Sequence, residues 1–302
     1  MKIGLVMPLD EEDGQPAPGW LTIRELAQQA EAGGLDSIWV FDHLLFRRAG
    51  EPDEGPHEPW TVLAALAAVT ERVELGTIVL CTAFRNPALT AKMAATLDEI
   101  SAGRLILGLG AGWHEPEFRA YGYPFDHRVG RFDEAFTIIR ELLREGRCDF
   151  RGRFHVADDC VLRPQPRRRI PLLVAARGPR MLELTARHAD AWNAAWFGLP
   201  DARLEARRAD LDRALAAAGR DPTSLQVTVG LEVRFDDLLA SDAARTRVPA
   251  ALSGTADELA AGLRAHEEAG AAHAIVSLVP ATPAALSRLA AGVGRYREIA
   301  AS

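Results

Sequence analysis

Eight short apolar segments rich in β-branched residues recur along this 302-residue chain and alternate with longer amphipathic segments. The apolar segments predict strands, and the amphipathic segments between them predict helices. Eight βα units in a chain of this length fit a closed (β/α)8 TIM barrel better than an open doubly wound sheet. We therefore predict a single α/β domain, residues 1–302, with strands at 2–7, 36–41, 73–80, 104–109, 171–176, 190–196, 225–233 and 273–279.

Helix-capping signals agree with this alternation. Residues 22–25 and 255–258 both have the spacing of a capping box, in which Thr and Glu satisfy each other's backbone N–H groups. Asn86-Pro87 supplies an N-cap followed by a proline in the first helical position. These signals predict helix starts after the first, third and seventh strands.

Two segments interrupt the βα pattern. Residues 146–170 predict a hairpin inserted between the fourth helix and the fifth strand, and residues 234–254 predict a long polar loop after the seventh strand. Long loops in a compact barrel usually serve as lids or covers of a site. A surface elaboration without function is the alternative for each.

Charge and hydrophobicity exclude two classes of function. The net charge is −7, with 42 acidic against 35 basic residues, whereas a nucleic-acid-binding protein would carry a basic face or tail. No apolar run approaches the roughly 18 residues of a membrane span, and the N-terminal segment is too short for a signal peptide. We expect no nucleic-acid partner, no membrane partner and a cytoplasmic location.

The three cysteines, Cys81, Cys148 and Cys160, form neither a disulfide framework nor a zinc-binding pattern. Cys148 and Cys160 could face each other across the predicted hairpin, but reduced thiols are expected. The eight histidines lack the H-E-x-x-H spacing or any other ligand spacing, so no metal site is predicted.

The active site of such a barrel lies at the C-terminal ends of its strands. The second strand ends in Asp42-His43, which is the best acid–base candidate because histidine titrates near neutrality and a carboxylate can orient it. Adjacent residues on a strand point to opposite faces, so the strand end must curl for both side chains to face the site. A structural histidine is the alternative.

A glycine-rich segment, 108–112, ends the fourth strand. It reads G-x-G-x-G and continues into Trp113, so it is not a dinucleotide fingerprint; we interpret the glycines as leaving room for a flat ring. Residues 177–181 place Pro179 at the start of the fifth helix between Arg177 and Arg180, which predicts a phosphate site. Solvated arginines are the alternative. With no metal, demanding chemistry would need an organic cofactor.

The chain resembles the luciferase-like monooxygenase superfamily, most closely its branch of coenzyme F420-dependent oxidoreductases. The resemblance covers nearly the whole chain and rests on the combination of motifs at 39–43, 75–77, 84–87, 104–113, 117–118, 121–122, 175–179, 189–193 and 254–255.

This resemblance implies a barrel that binds a deazaflavin or a flavin inside the strand ends. His43 matches a proton donor, and the third strand matches a bulge with a non-prolyl cis peptide bond, which would fall at Ile78–Val79. Positions that match cofactor-binding residues are Asp42, Ile78, Val79, Cys81, Ala111, Gly112, Ala175, Arg177, Gly178, Arg180 and Met181.

One position departs from the family pattern. Sugar-phosphate dehydrogenases of the family carry a glutamate just after the glycines of the fourth strand, where this chain has Trp113. We therefore expect a more apolar substrate than glucose 6-phosphate. Trp60, Trp113, Trp192 and Trp196 are candidate walls of the substrate pocket, and each could equally belong to the core.

Three functions follow from these expectations. The first is an F420-dependent oxidoreductase that transfers a hydride between the deazaflavin and a small organic substrate. The second is an FMN-dependent monooxygenase that uses O2 and a partner reductase. The third is a barrel that binds a cofactor without turnover. A homodimer is implied by the resemblance alone.

Overall fold

A closed parallel sheet forms the centre of the computed structural model, which describes residues 1–11, 15–239, 248 and 250–300. The strands, in chain order, are β1 (Lys2–Val6), β2 (Ser37–Val40), β3 (Glu74–Thr77), β4 (Leu80–Cys81), β5 (Leu105–Gly110), β6 (Arg147–Arg151), β7 (Val156–Val161), β8 (Leu172–Ala175), β9 (Ala191–Phe197), β10 (Gln226–Arg234) and β11 (His273–Val279).

The barrel runs in the order β3-β2-β1-β11-β10-β9-β8-β5-β4, and the pairing of β3 with β5 closes it. Strands β3 and β4 form one barrel strand, interrupted at Ile78–Val79 by a non-prolyl cis peptide bond, as predicted. All eight predicted strands are therefore confirmed. The third differs from the prediction only in being split.

Helices surround the barrel. They are α1 (Trp20–Ala32), α2 (Pro59–Val69), α3 (Pro87–Ile100), α4 (Glu115–Tyr121), α5 (Arg128–Glu145), α6 (Pro179–His188), α7 (Ala202–Ala217), α8 (Ala256–Glu268) and α9 (Pro283–Ala300). Among the residues that the structure describes, no helix has both the length and the hydrophobicity required to cross a membrane.

Two of the three predicted helix caps are confirmed. Asn86 caps α3 by accepting from the N–H of Leu89 at 3.1 Å, and Thr255 and Glu258 form the complete capping box of α8. The cap predicted at 22–25 is wrong, because α1 begins at Trp20 and Gly19 is its N-cap without a side-chain hydrogen bond. The spacing of a capping box therefore does not fix where this helix begins.

The predicted hairpin is confirmed as the antiparallel pair β6–β7, between α5 and β8. Cys148 lies opposite Cys160 in this pair, and both thiols are free. The predicted loop 234–254 lies partly outside the described residues, at 240–247 and 249. In its described part, Leu252 forms a parallel bridge with Val233.

The apolar core has two main layers. One fills the space between the barrel and the helices, and the other fills the barrel itself. The barrel layer contains the buried residues Val6, Trp39, Ile78, Leu173, Ala191 and Ile275. Four partly buried side chains pack on this layer, and three of them, Phe41, Val79 and Trp196, lie close to the C-terminal end of a strand. The mouth of the barrel therefore has an apolar floor.

A polar network lies at the opposite end of the barrel, where β2 and β11 begin. The indole N–H of Trp39 donates to Ser37 Oγ at 2.7 Å, and Ser37 Oγ is 2.7 Å from His273 Nε2. Burial lowers the pKa of His273 to about 3, so the imidazole is neutral in the folded protein at physiological pH.

We predict that this histidine makes the fold sensitive to acid. Between pH 6.5 and pH 3 the unfolded chain binds a proton that folded His273 does not, so stability falls as the pH decreases through this window. The loss attributable to His273 between pH 7 and pH 5 is on the order of 2 kcal/mol. Urea unfolding at both pH values checks this. The His273→Asn variant should show a smaller difference between the two pH values, and an unchanged difference would contradict the prediction.

Candidate functional site

The C-terminal ends of the barrel strands form a mouth whose floor is apolar. Phe41, Val79 and Trp196 are half-buried there, above the sealed barrel interior. Trp196 reaches this floor because β9 changes register against β10 between Ala194 and Phe197. Without that irregularity, the strict alternation of the strand would direct residue 196 toward the helices.

His43 pairs with Glu117 at the edge of this floor. Its Nδ1 is 3.0 Å from Glu117 Oε1, and the second carboxylate oxygen accepts from the N–H of Leu44 at 2.9 Å. The Glu117 side chain is 1% exposed and His43 is 15% exposed. Within the described residues, His43 Nε2 makes no hydrogen bond. The imidazole is thus held by one nitrogen, and the other is available for proton exchange.

Glu117 is a candidate functional residue to which the sequence analysis assigned no role. It lies in the first turn of α4, 74 residues after His43. Residues 117–118 form one of the motifs on which the family resemblance rests, and this motif is the sequence feature that could have indicated a role for Glu117. Asp42, the adjacent carboxylate, makes no hydrogen bond to His43 within the described residues, so the two side chains diverge as the alternation of a strand allows.

Asp42 instead anchors the rim of the mouth. Its buried carboxylate accepts from Arg85 at 2.7 and 3.2 Å and from the N–H of Cys81 at 2.8 Å. Burial raises the pKa of Asp42, and the guanidinium of Arg85 opposes this shift. Arg85 also bonds Glu58, which caps α2. Both oxygens of Asp42 are therefore engaged by protein groups, and its contact with the cofactor stays a prediction.

Aromatic rings surround His43. The ring of Phe46 lies 4.5 Å away, and Trp113 stands edge-on at 5.4 Å between ring centroids. Trp113 is 62% exposed, which is unusual for an indole and leaves most of its surface accessible to solvent. The neighbouring His114 accepts from the N–H of Arg47, and burial lowers the pKa of His114.

The glycines that end β5 have a different role from the one we inferred. A Cβ on Gly108 would lie 1.9 Å from the carbonyl oxygen of Thr77, and one on Gly112 would lie 2.5 Å from the ring of Phe118. Gly112 also has a φ of +73°. These glycines permit close packing of protein groups, and contact of Gly112 with a flat ring stays a prediction.

Cys81 also makes close contacts with protein groups. Its side chain is buried with Phe84 and Phe118 in a small cluster beside the barrel, and its N–H is bonded to Asp42. Burial raises the pKa of the Cys81 thiol. Contact between Cys81 and the cofactor stays a prediction. Ala111 and Ala175 are half-buried at the ends of β5 and β8, where cofactor contact stays a prediction.

The predicted phosphate turn has the geometry of an open helix N-terminus. Helix α6 begins at Pro179 after Gly178, which has a φ of +77° and open space where a Cβ would be. The amides of Arg180 and Met181 have no acceptor within the described residues, as at other helix starts. Free amides and the positive end of the helix dipole suit an anion.

Arginines flank this turn. Arg177 and Arg207 both donate to the carbonyl oxygen of Ala195 at 2.9 Å, and Arg180 pairs with Asp133 at 3.1 Å. The apolar floor together with this cationic turn fits a planar ring system that ends in a phosphate. Among the described residues, no group of three or more potential metal ligands occurs.

The four candidate tryptophans separate into two pairs. Trp113 and Trp196 lie at the mouth, where substrate contact stays a prediction. The structure corrects the other two. Trp60 lies in the first turn of α2 and is buried in the core, and Trp192 faces the helices, where it is 1% exposed and donates to the carbonyl oxygen of Ala176. Trp192 follows inward-facing Ala191, so the alternation of β9 directs it outward.

Comparison with known proteins identifies the family to which this chain belongs. Residues 1–301 match the family model described as luciferase-like monooxygenase. An F420-dependent glucose-6-phosphate dehydrogenase from Kineococcus radiotolerans is 35% identical over 248 residues, which are 81% of this chain and 72% of that protein. A pyrimidine monooxygenase, RutA, from Methylorubrum extorquens is 35% identical over 207 residues, 63% of this chain and 56% of that protein.

A solved structure supports the fold independently. An F420-dependent secondary alcohol dehydrogenase, solved in complex with an F420–acetone adduct, superimposes with a TM-score of 0.78 at 21% identity. The superposition covers 98% of this chain and 99% of that chain. At this identity the likeness establishes the barrel architecture alone.

We predict that the buried ion pair at the rim, Asp42 and Arg85, stabilises the protein only when both charges are present. Arg85→Leu should destabilise the protein by about 3–5 kcal/mol because it leaves Asp42 buried without a counterion. Asp42→Asn combined with Arg85→Leu should recover much of that loss. Chemical denaturation of both single variants and the double variant tests this. Strictly additive losses would contradict it.

Proposed function

Because this chain belongs to the luciferase-like monooxygenase family, we propose that it is a coenzyme F420-dependent oxidoreductase acting on a small organic substrate. The observation that carries this proposal is His43, which is held by a buried carboxylate beside the apolar floor and keeps one nitrogen available. Relatives named as F420-dependent dehydrogenases support the choice of cofactor.

The bound deazaflavin would supply the hydride chemistry, and the protein would supply position and protons. Phe41, Val79 and Trp196 would support the ring, and the amides after Gly178 would hold the phosphate. His43 would exchange the substrate proton at Nε2.

Glu117 would act as a positioning residue for that exchange. Its carboxylate is fixed by the N–H of Leu44, so it holds the imidazole in one orientation and stabilises the charge that forms on it. Phe46 and Trp113 would restrict water around the imidazole.

The substrate class follows from the rim. Trp113 occupies the position at which we expect a glutamate in sugar-phosphate dehydrogenases, and its exposed indole stands against His43. An apolar substrate that stacks on this indole would fit the chemistry of the site better than a sugar phosphate would. We therefore propose a small apolar alcohol, ketone or unsaturated compound rather than glucose 6-phosphate.

One observation favours a second candidate function. Pyrimidine monooxygenases are also similar to this chain, so FMN with O2 and a partner reductase is the alternative cofactor system. The third possibility, a barrel without turnover, does not account for the buried carboxylate that orients His43.

Location and assembly belong to the same proposal. We propose a cytoplasmic homodimer; three free thiols support the reducing compartment, and family resemblance supports the dimer. Light scattering coupled to gel filtration measures the assembly directly.

We predict that the purified protein binds F420 more tightly than FMN. Trp113 and Trp196 stand at the mouth, so ring binding should quench tryptophan fluorescence. Titration with each cofactor under the same conditions measures both affinities. Saturable FMN binding together with no F420 binding would transfer the assignment to the flavin.

We predict that His43→Ala lowers turnover by about 10²–10⁴-fold, the usual contribution of an acid–base residue. A panel of apolar alcohols, ketones and unsaturated compounds identifies a working substrate, and F420 absorbance reports turnover. The variant should still bind F420, because the phosphate turn is intact. Unchanged turnover would show that His43 has no catalytic role.

We predict that Glu117→Gln lowers kcat by at least about tenfold, with little change in KM. The amide keeps the volume but removes the charge that stabilises a protonated imidazole. Glu115→Gln is the matched control, since that exposed glutamate of the same helix pairs with Arg119. Equal losses in both variants would contradict a specific positioning role.

A further inference from the structure

Two cysteines face each other on the hairpin β6–β7, and the function proposed above assigns them no role. Cys148 and Cys160 occupy directly opposite positions of this antiparallel pair. Directly opposite residues of antiparallel strands have Cα atoms about 4.5–5.5 Å apart, and a disulfide spans Cα separations of about 4.4–6.8 Å. The backbone of the hairpin therefore already holds the two residues at a separation that a disulfide can span.

A β-bulge next to the pair turns both side chains toward the core. The register shifts between Cys148 and Phe150, where β7 contains one extra residue. Asp159 in this bulge has a φ of +41°, in the left-handed region that aspartate tolerates better than most residues. Ala157 of β7 is buried, so strict alternation without the extra residue would direct residue 160 away from the core. The bulge thus places Cys160 on the inner face of the hairpin with Cys148.

The two thiols differ in exposure and in partners. Cys148 is 2% exposed and donates its S–H to Glu141 Oε2 of α5 at 3.1 Å. Cys160 is partly exposed at the edge of the same core. Burial and the hydrogen bond to Glu141 raise the pKa of the Cys148 thiol to about 12, so this thiol is protonated at physiological pH. An oxidant dissolved in water therefore reaches Cys160 first.

The third cysteine of the chain is placed differently. Cys81 is 4% exposed and packs with Phe84 and Phe118, in a cluster that contains neither of the other two cysteines. It has no thiol opposite it with which to form a disulfide. Cys81 is therefore an internal reference for any oxidation that depends on the pair.

We propose that Cys148 and Cys160 form a modification site, a dithiol that hydrogen peroxide converts reversibly into a disulfide across the hairpin. The covalent bond joins β6 to β7 and replaces the hydrogen bond that Cys148 makes to α5. A thiol reductant reverses the change, so the disulfide is transient in the reducing compartment proposed above.

The oxidation takes two steps. The sulfur of Cys160 attacks one oxygen of the peroxide, the O–O bond breaks, and the products are a sulfenic acid at Cys160 and water. The sulfur of Cys148 then attacks the sulfenic sulfur while its proton passes to Glu141, and the departing hydroxyl group takes up that proton and leaves as water. Two thiols and one peroxide molecule thus give one disulfide and two water molecules.

Peptide mapping of the whole protein tests the site. The purified protein is treated with hydrogen peroxide, alkylated under denaturing conditions and digested with trypsin. Arg151 and Arg153 lie between the two cysteines, so trypsin separates Cys148 from Cys160 unless a disulfide joins them. We expect one linked peptide that dithiothreitol separates, and alkylation of Cys81 equal to that in the untreated protein.

Variants separate the two steps. Cys148→Ser should stop at the sulfenic acid of Cys160, which dimedone traps, and Cys160→Ser should leave Cys148 reduced under the same treatment. Glu141→Gln should raise the ratio of dimedone adduct to disulfide by at least about tenfold, because an amide does not accept the proton. Glu145→Gln is the matched control, since this glutamate is exposed near the end of the same helix.

Three results would overturn the modification site. The first is a wild-type protein in which no linked peptide forms. The second is oxidation of Cys81 to the same extent as the pair, and the third is a disulfide between two protein molecules, which a non-reducing gel reveals. Equal ratios in Glu141→Gln and Glu145→Gln would contradict the role of Glu141 as proton acceptor. The assay contains neither cofactor nor substrate, so its outcome is independent of the proposed function.

Discussion

The buried ion pair between Asp42 and Arg85 is the constraint on which the mouth of the barrel depends. It joins the end of β2 to the segment after β4, and through Glu58 it also reaches the start of α2. A carboxylate this deeply buried needs a fixed counterion and N–H donors, and Arg85 and Cys81 supply them. This rigid rim holds the backbone of His43, the next residue along the chain.

Two carboxylates at this rim therefore have separate roles. Asp42 is saturated by its arginine and fixes the backbone, whereas Glu117 shares its hydrogen bonds between a backbone N–H and an imidazole. Only the second arrangement leaves a titratable group facing the mouth. Sequence adjacency to a histidine is a poor guide to partnership, because neighbouring residues at a strand end diverge.

For the proposed binding of an anionic cofactor, the local distribution of charge matters more than the net charge of the chain. The chain is acidic, with a net charge of −7, yet three arginines near the phosphate turn, Arg128, Arg153 and Arg177, lack carboxylate partners within the described residues. Holding such arginines against aromatic rings and carbonyls keeps them oriented without neutralising them. An anionic cofactor that binds as proposed would meet a local positive field on an otherwise negative protein.

The sequence by itself determines the local elements of this protein. These are the eight strands, the hairpin, the helix caps at Asn86 and Thr255 and the open turn at Gly178. Each is a local pattern of periodicity, capping or turn chemistry, so a short window contains its cause. The tertiary structure alone decided that His43 pairs with Glu117, that Trp192 faces the helices and that the glycines of β5 accommodate protein groups. Those outcomes depend on contacts between residues far apart in the chain and on the register of β9, which local composition does not encode.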